Sequence, residues 1–169
     1  YVSQKAILFS GTIEENIAYG NPRATQEEIF RAAATAQALE FIKELDQKFN
    51  SSVAQAGTNF SGGQKQRLAI ARALAKNPEI YLFDDSFSAL DFKTDAALRM
   101  ALRREAKGKT VLIVTQRIGT IMDADKIIVI DGGRIVGQGT HKELLRNCEI
   151  YREIASFQLS PEELTADLN

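Results

Sequence analysis

The sequence is short of the residue types that form disulfide bonds and metal sites. Its 169 residues include one cysteine, Cys148, and one histidine, His141. A single cysteine excludes an internal disulfide and favours a reducing compartment. One cysteine and one histidine also argue against a zinc site built from this chain. His141 lies in a helix-capping sequence, and we interpret it as a structural residue.

Long apolar runs and excess charge of one sign are missing as well. The longest apolar runs, such as TVLIV at 110–114, are far shorter than the roughly 20 residues that a transmembrane helix needs. The segment by itself is therefore expected to be soluble. With 21 basic and 22 acidic side chains the formal net charge is -1, so the overall balance gives no reason to expect nucleic acid as a partner. A charged ligand has to be bound locally.

Apolar residues are plentiful, at 44% of the chain, which is enough for the packed core of one domain. The first residues, YVSQKAILFSG, begin inside an apolar pattern, as though a strand had been cut. Tyr1 also stands where an initiator methionine is expected. We therefore expect the chain to be a piece of a longer polypeptide.

Residues 12 to 77 have the pattern of a helical subdomain. Two stretches fit a capping box, in which a hydroxyl and a carboxylate satisfy each other's backbone amides: Thr12 with Glu15, and Thr25 with Glu28. Apolar residues then recur at the spacing of helices buried along one side. They are Ile29, Ala33, Ala36 and Leu39 in the second helix, and Leu68, Ala71 and Ala75 in a third that runs from Ser61 to about Ala75. A polar loop is predicted at 46–60.

Residues 78 to 158 have the alternating texture of an α/β core. Four short apolar runs predict strands, at 79–83, 110–114, 126–130 and 134–138, and helices are predicted at 94–107 and 119–124. Strands separated by helices indicate a mostly parallel sheet covered on both faces. The Asp131-Gly132-Gly133 stretch predicts instead a tight hairpin and an antiparallel edge. The expected fold class is α/β.

The end of the chain is predicted to be helical, with residues 159–169 as a tail. Thr140 with Glu143 fits a capping box for one helix. Ser160, Pro161 and Glu163 supply an N-cap, a first-turn proline and a box partner for a last short helix.

Two acidic residues end the first predicted strand, in IYLFDDS at 80–86. Asp84 and Asp85 are expected at the carboxyl edge of a parallel sheet, where open α/β folds bind ligands. Upstream, two glycines follow Ser61 at a helix start, an arrangement that favours a bound anion. Taken singly, the acidic pair fits a solvated turn and the glycines fit a flexible loop. Together with FSALD at 87–91, they indicate a functional site.

The motifs, in this order along the chain, resemble the nucleotide-binding domain of ATP-binding cassette (ABC) transporters. The likeness is strongest to exporters with membrane and ATPase domains in one polypeptide. It rests on VSQKAILFSGTIEENI, FSGGQKQRLAIARAL, IYLFDDSFSALD, VTQR and GRIVGQGTHKELL, and covers residues 1 to about 157. It implies a P-loop NTPase-like fold with an inserted helical subdomain.

The resemblance also implies cofactors and partners. The cofactors are ATP and Mg²⁺. The partners are a second ABC nucleotide-binding domain and the coupling helices of a transmembrane domain, with no nucleic acid. The parent protein is accordingly expected in the cell membrane, with this segment on the cytoplasmic face.

Several residues take roles from the resemblance. Gln4 looks like the glutamine that senses the γ-phosphate through Mg²⁺ and faces the membrane domain. Asp84 is similar to the Walker B aspartate, which holds Mg²⁺ largely through water. The stretch from Ser88 to Asp91 resembles the loop that crosses the dimer interface.

A second group resembles parts that contact other subunits or domains. Residues 53–57 (VAQAG) resemble the loop that touches the coupling helices, and Gln55 stands where many members have Glu. The signature motif, which in this family acts on the nucleotide held by the opposite subunit, is represented by Ser61, Gly62, Gly63 and Gln64. Phe60 before it replaces the commoner Leu, a change expected to matter little.

The first departure from the family pattern is the absence of a GxxxxGK[ST] phosphate loop. Gly108-Lys109-Thr110 lacks the earlier glycine and lies after a helix and before a strand, the reverse of the order that such a loop needs. The missing motif is expected upstream of residue 1. The isolated segment is therefore predicted to be inactive and to bind ATP poorly.

Two further departures fall in the hydrolytic site. Asp85 stands where the family has the glutamate that polarises the attacking water. One methylene less retracts the carboxylate by about 1.5 Å, and a misplacement of about 1 Å can cost on the order of 100-fold in rate. Gln116 stands where the family has its switch histidine; an amide can hydrogen-bond a phosphate but cannot accept a proton near neutral pH.

An intact signature beside an impaired hydrolytic site favours one half of a heterodimeric exporter, in which one composite site hydrolyses ATP and the other mainly binds it. A homodimeric exporter with slow turnover is the nearest alternative. A soluble ABC-type ATPase acting on DNA or ribosomes is less favoured, because no long insertion separates Gln4 from the signature. A non-enzymatic piece is the remaining alternative.

Overall fold

Helices and short strands alternate along the chain in the computed structural model, which describes residues 1–168 and the side chains of residues 1–164. The strands are β1 (Gly11–Thr12), β2 (Ser52–Val53), β3 (Ile80–Asp84), β4 (Thr110–Val114), β5 (Ile127–Asp131) and β6 (Arg134–Gly139). The helices are α1 (Ile13–Ala18), α2 (Gln26–Thr35), α3 (Leu39–Glu44), α4 (Gly62–Ala75), α5 (Phe92–Glu105), α6 (Ile118–Ile121), α7 (His141–Asn147), α8 (Glu149–Ser156) and α9 (Pro161–Leu168). Single 3-10 turns lie at Lys48–Asn50 and Gln55–Gly57.

The predicted capping boxes are confirmed, and they explain where the helices begin. At α1, for example, the Thr12 amide donates to Glu15 at 2.7 Å and the Glu15 amide donates to the Thr12 hydroxyl at 3.1 Å. The same reciprocal pair occurs at α2, α7 and α9. Each box satisfies two backbone amides that the helix itself leaves unpaired. Asn169, the last residue of the predicted tail, lies outside the described residues.

The described chain divides into two compact units, residues 1–114 and the residues from Thr115 onward. In the first unit α4 is the central helix and packs against α1 and α2. Leu68, Ile70 and Ala71 on α4 are fully buried, together with Ile13 and Ile17 of α1. The subdomain limits inferred from sequence texture, 12–77 and 78–158, stay a prediction.

The second predicted helix is shorter than its apolar pattern indicated. Ile29, Ala33 and Ala36 are buried as expected, but α2 ends at Thr35 and Leu39 begins α3 instead. The expectation that Leu39 continues α2 is therefore wrong. The reason is Gln37, whose φ of 58° is left-handed and cannot continue a right-handed helix.

Parallel pairing joins β3 to β4, in register from Ile80 with Thr110 to Asp84 with Val114. The helix α5 connects the two strands, as the βαβ pattern predicts. On the other side of β3, Val2 forms a parallel bridge to Phe83. Its amide donates to the Leu82 carbonyl at 2.8 Å, and its carbonyl accepts from the Asp84 amide at 2.9 Å. The first residues of the chain therefore run beside the end of β3.

Coverage of the sheet differs from the prediction. Four of the five residues of β4 are exposed, among them Val111, Leu112 and Val114 at 36, 50 and 51%. The expectation of a sheet covered on both faces is wrong for this strand. Within the described residues β4 pairs only with β3, and an edge strand of a two-stranded sheet keeps much of its surface exposed.

The second unit is built on an antiparallel hairpin of β5 and β6, which confirms the predicted turn. Gly132 and Gly133 have φ of 52° and 75°, the left-handed values that a two-residue hairpin turn requires. The helices α7 and α8 pack in the same unit, and Leu144, Leu145 and Tyr151 are buried in its core. His141 is also buried, with Nδ1 2.7 Å from the Tyr151 hydroxyl, which agrees with a structural role.

No helix among residues 1–168 combines the length and the apolarity that crossing a membrane would take.

Candidate functional site

Two carboxylates lie at the carboxyl end of β3, where the strand turns away from the sheet. The Asp84 amide is still part of the ladder, through its bond to the Val2 carbonyl, and the Asp85 amide donates to the Val114 carbonyl at 2.8 Å. Asp85 has φ of 45°, a conformation that asparagine and aspartate tolerate better than other side chains. This kink ends the strand.

Each carboxylate accepts a hydrogen bond from the first residues of the chain. The Gln4 side-chain nitrogen Nε2 donates to Asp85 Oδ2 at 3.0 Å, and the Tyr1 hydroxyl donates to Asp84 Oδ2 at 2.8 Å. The hydrogen bond to Asp84 raises the pKa of the Tyr1 hydroxyl above its ordinary value, with burial and the charge of Asp84 as smaller causes. The structure therefore brings Gln4, Asp84 and Asp85 together. Sequence reasoning missed Tyr1, because no local pattern signals a contact between residues 83 positions apart.

The loop from Ser86 to Asp91 is held by its own hydroxyls and carboxylates. Ser86 is fully buried, and its hydroxyl donates to the Val2 carbonyl at 2.7 Å. The Ser88 hydroxyl donates to the Asp85 carbonyl at 2.7 Å. Asp91 caps α5 and accepts from the Thr94 amide at 2.9 Å and the Thr94 hydroxyl at 2.7 Å.

The hydrogen bonds at Asp91 have an electrostatic consequence. The Thr94 amide, followed by the Thr94 hydroxyl, lowers the pKa of the Asp91 carboxyl below its ordinary value. The carboxylate is therefore ionised at neutral pH. Its place at the start of α5 is also favourable for a negative charge.

The predicted signature residues form the start of α4. Ser61 and Gln64 make a capping box, with the Ser61 amide donating to Gln64 Oε1 at 2.9 Å and the Gln64 amide donating to the Ser61 hydroxyl at 3.2 Å. A Cβ on Gly62 would meet nothing within 4 Å, whereas one on Gly63 would lie 3.2 Å from the Ala89 carbonyl oxygen. The signature therefore lies against the Ser88–Asp91 loop, with Gly62 open to a ligand.

Phe60 anchors the approach to the signature. Its ring is buried and lies 6.2 Å from that of Phe41, edge to face. Burial of an aromatic side chain at this position agrees with the expectation that Phe can replace Leu there.

The segment 53–57 begins in β2 and continues into a 3-10 turn with Gln55 exposed. Asn59 supports it on both sides, since its Oδ1 accepts from the Ala54 amide at 3.0 Å and its Nδ2 donates to the Ser52 carbonyl at 2.8 Å. The turn therefore exposes Gln55 on a loop that Asn59 supports.

Gln116 belongs to the second unit and is exposed there. Its carbonyl accepts from Gln158 Nε2 at 2.8 Å, and Gln158 Oε1 accepts from the Ile118 amide at 2.9 Å. One side chain of the segment after α8 therefore holds the backbone around Gln116.

The side chains at the end of β3 supply oxygen atoms of the kind that bind Mg²⁺. Asp84 supplies a carboxylate, and Gln4 bonds Asp85 through its nitrogen, which leaves its amide oxygen as a ligand atom. Mg²⁺ prefers oxygen ligands, and it usually takes one or two carboxylates together with water and substrate phosphates. Within the described residues no group of three His, Cys, Asp or Glu side chains could hold a metal ion. Asp84 and Gln4 would therefore share the ion with water and phosphate.

Comparison with known proteins identifies the class. A family model described as "ABC transporter" matches residues 1–88 of the 169. The chain belongs to the ABC transporter family, as its motifs predict.

Similar proteins come from bacteria and animals. An uncharacterized ABC transporter ATP-binding protein of Mycobacterium tuberculosis is 47% identical over 160 residues, which cover 93% of this chain and 27% of that protein. Multidrug resistance protein homolog 65 of Drosophila melanogaster is 46% identical over 85% of this chain and 11% of its own length. This chain therefore spans about a quarter or less of these relatives.

A solved structure confirms the fold class. It is described as a bacterial Atm1-family ABC exporter with ATP bound, and it superposes with a TM-score of 0.89 at 42% identity. The likeness covers 92% of this chain and 28% of the exporter chain. The fold is that of part of an exporter's ATP-binding domain.

Proposed function

We propose that this chain is the carboxy-terminal part of the ATP-binding domain of an ABC exporter, and that it couples the binding and hydrolysis of ATP to substrate export across a cell membrane. The observation that carries the proposal is the meeting of Gln4 with Asp85 at the end of β3, next to Asp84. A strand-end carboxylate and an amide oxygen suit Mg²⁺ bound to a triphosphate.

Within this chain's own pocket, Asp84 and Gln4 would hold Mg²⁺, which neutralises charge on the phosphates when bound. Asp85 would orient the attacking water, but it does so poorly. Its carboxylate is one methylene shorter than that of glutamate, and it is bonded to Gln4 at 3.0 Å. Gln116, in the place of the switch histidine, accepts no proton. This pocket therefore binds ATP and hydrolyses it slowly.

The signature acts on a different nucleotide. Ser61, Gly62, Gly63 and Gln64 start a 14-residue helix, whose free amides and dipole attract an anion. We propose that this anion is the γ-phosphate of ATP held by a second nucleotide-binding domain, with Ser88 and Asp91 on the loop that crosses the interface. Gln55 and its neighbours would contact the coupling helices of the transmembrane domain.

An impaired pocket and a sound signature in one chain favour a heterodimer. The test is to purify the full-length protein alone and with candidate partner half-transporters, in wild-type form and with Asp85→Glu plus Gln116→His. The wild-type pair should hydrolyse ATP at one of its two pockets, and the double variant should add hydrolysis at the second. Brisk hydrolysis by the wild-type chain alone would contradict the heterodimer, and equal turnover of both pockets from the start would favour a slow homodimer.

A further inference from the structure

Two polar side chains on α4 hold the segment that carries Gln4, here called the Gln4 segment (residues 3–9). Gln66 is 2% exposed, and its Nε2 donates to the Ser3 carbonyl at 3.1 Å. Arg72 donates from Nη1 to the Ile7 carbonyl at 2.9 Å. The two donors are six positions apart on the helix whose first residues are the signature.

Arg72 is itself held from several directions. Its Nε and Nη2 donate to the backbone carbonyl and the side-chain oxygen of Asn16, both at 2.8 Å. The guanidinium lies 4.8 Å from the centre of the Phe9 ring and 5.9 Å from that of Tyr19. An arginine bonded at three nitrogens and stacked on aromatic rings has one defined position.

Asn16 extends this anchor to the end of the Gln4 segment. It is buried, and its side chain bonds both backbone groups of Phe9: Oδ1 accepts from the amide at 2.9 Å and Nδ2 donates to the carbonyl at 2.8 Å. Arg72, together with Asn16, therefore holds the far end of the segment against α4, and Gln66 holds its beginning.

Apolar burial holds this segment at one residue, Leu8, which is buried in the core of the first unit. Ile7 and Phe9 are 61 and 44% exposed, and Gln4 and Lys5 are exposed as well. Because hydrophobic stabilisation scales with buried apolar area, Leu8 fixes the segment near its far end, and the polar contacts hold the rest of it. Gln4 lies between the two anchored ends of the segment, where its side chain bonds Asp85.

We propose that Gln66 and Arg72 are positioning residues, and that through them the Gln4 segment and α4, which begins with the signature, move together as one rigid unit. The physical tie rests on the contacts above. Its consequence rests on the proposed function: Gln4 would respond to nucleotide in this chain's own pocket, while the signature contacts nucleotide in the partner's pocket. A shift at Gln4 would then reach the partner's pocket through α4, so that occupancy of one site alters turnover at the other.

The experiment uses the full-length protein assembled with its partner. Gln66→Met keeps the length of the side chain and removes the donor, and Arg72→Lys keeps the charge and removes the fork of donors. Ile70→Val is the matched control, because Ile70 is buried on the same helix and the loss of a core methyl perturbs packing without removing a hydrogen-bond donor to the Gln4 segment. Amide hydrogen exchange and steady-state ATP hydrolysis are measured on all four proteins.

Exchange at the hydrogen-bonded amides of Val2 and Phe9, at the two ends of the segment, is expected to be at least about tenfold faster in Gln66→Met and Arg72→Lys than in wild type, because each change removes a donor that holds the adjacent backbone in place. Exchange within α4 should stay near wild type. In the control, the Val2 and Phe9 amides should exchange as in wild type. For turnover, kcat should fall by about tenfold or more in the two anchor variants while KM changes less than about twofold, since binding groups are intact and only their alignment is lost.

Unchanged exchange at the Val2 and Phe9 amides in both anchor variants would overturn the tie. Faster exchange with unchanged kcat would overturn the positioning role. If the wild-type assembly hydrolyses no ATP, the proposed function fails instead, and the exchange comparison still tests the tie, because it needs no nucleotide.

Discussion

Gly20 is the position where a single added methyl group should do the most structural damage. It follows α1 at the point where that helix approaches α4. A Cβ built there would lie 2.0 Å from the carbonyl oxygen of Arg72 and 3.1 Å from its carbonyl carbon. Carbon and carbonyl oxygen approach no closer than about 3.3 Å even in favourable contacts. Gly20→Ala therefore requires α1 and α4 to separate by more than about 1 Å.

The expected loss of stability follows from the contacts between α1 and α4. The obstructing atom is backbone, so no side chain can rotate out of the way, and Ile17 and Leu68 on the two helices are fully buried. Overpacking a core typically costs about 1–3 kcal/mol and occasionally more, and this clash belongs at the upper end. For a chain of this size, about 3 kcal/mol corresponds to a loss of roughly 6–12 °C in Tm. Gly20 has no left-handed φ, so backbone strain adds nothing.

The assay is thermal unfolding of the purified chain followed by circular dichroism. Gly119→Ala is the matched control, because a Cβ there meets nothing within 4 Å and alanine favours a helix over glycine by up to about 1 kcal/mol. Its Tm should be unchanged or slightly higher. A Tm for Gly20→Ala within about 2 °C of wild type, corresponding to less than about 1 kcal/mol, would refute the close approach of α1 and α4.

Three further outcomes are expected. Hydrogen bonds lower the pKa of Asp91 in the folded state, so its contribution to stability is present above the unfolded pKa of about 3.9 and is lost as pH falls through the folded value. Asp91→Asn should therefore reduce the loss of stability at acid pH, measured by urea titration between about pH 2 and 7. Identical pH profiles for the variant and the wild type would contradict this. Ser61→Ala removes half of a capping box and should lower the free energy of unfolding by about 1 kcal/mol in urea titrations without nucleotide, whereas an unchanged midpoint would mean that the box is not formed in solution. The chain of 169 residues by itself, which has no GxxxxGK[ST] loop, should hydrolyse no ATP and bind it weakly, and a micromolar dissociation constant by calorimetry would contradict that expectation.

Local chemistry is readable from the order of the amino acids. The hydroxyl and carboxylate pairs at Thr12, Thr25 and Thr140 predict helix starts because the interaction spans three residues and depends on little else. The strand that leads to Asp84 and Asp85 is predictable for a similar reason, because a short apolar run flanked by polar residues is typical of a buried strand. The family itself follows from the order of such motifs.

The predictions from sequence are wrong where an apolar pattern continues across a turn of the backbone. The apolar spacing from Ile29 to Leu39 is unbroken, yet Gln37 takes a left-handed conformation and divides it into α2 and α3. Periodicity reports which side chains are buried, and it does not report every backbone turn between them. The exposure of β4 is missed as well, because an apolar run has the same appearance whether or not another element covers it.

The amino-acid order was sufficient for the capping boxes, for the strands β3 to β6 to within one residue, for the hairpin at Gly132-Gly133 and for the membership of a family, because each depends on residues that are close in sequence. Folding alone decided that Gln4 meets Asp85, that Tyr1 meets Asp84, and that Gln66 and Arg72 hold the Gln4 segment. These contacts join residues between 63 and 83 positions apart. Such pairs leave no periodic trace along a chain, since their meeting depends on how helices and strands pack in three dimensions.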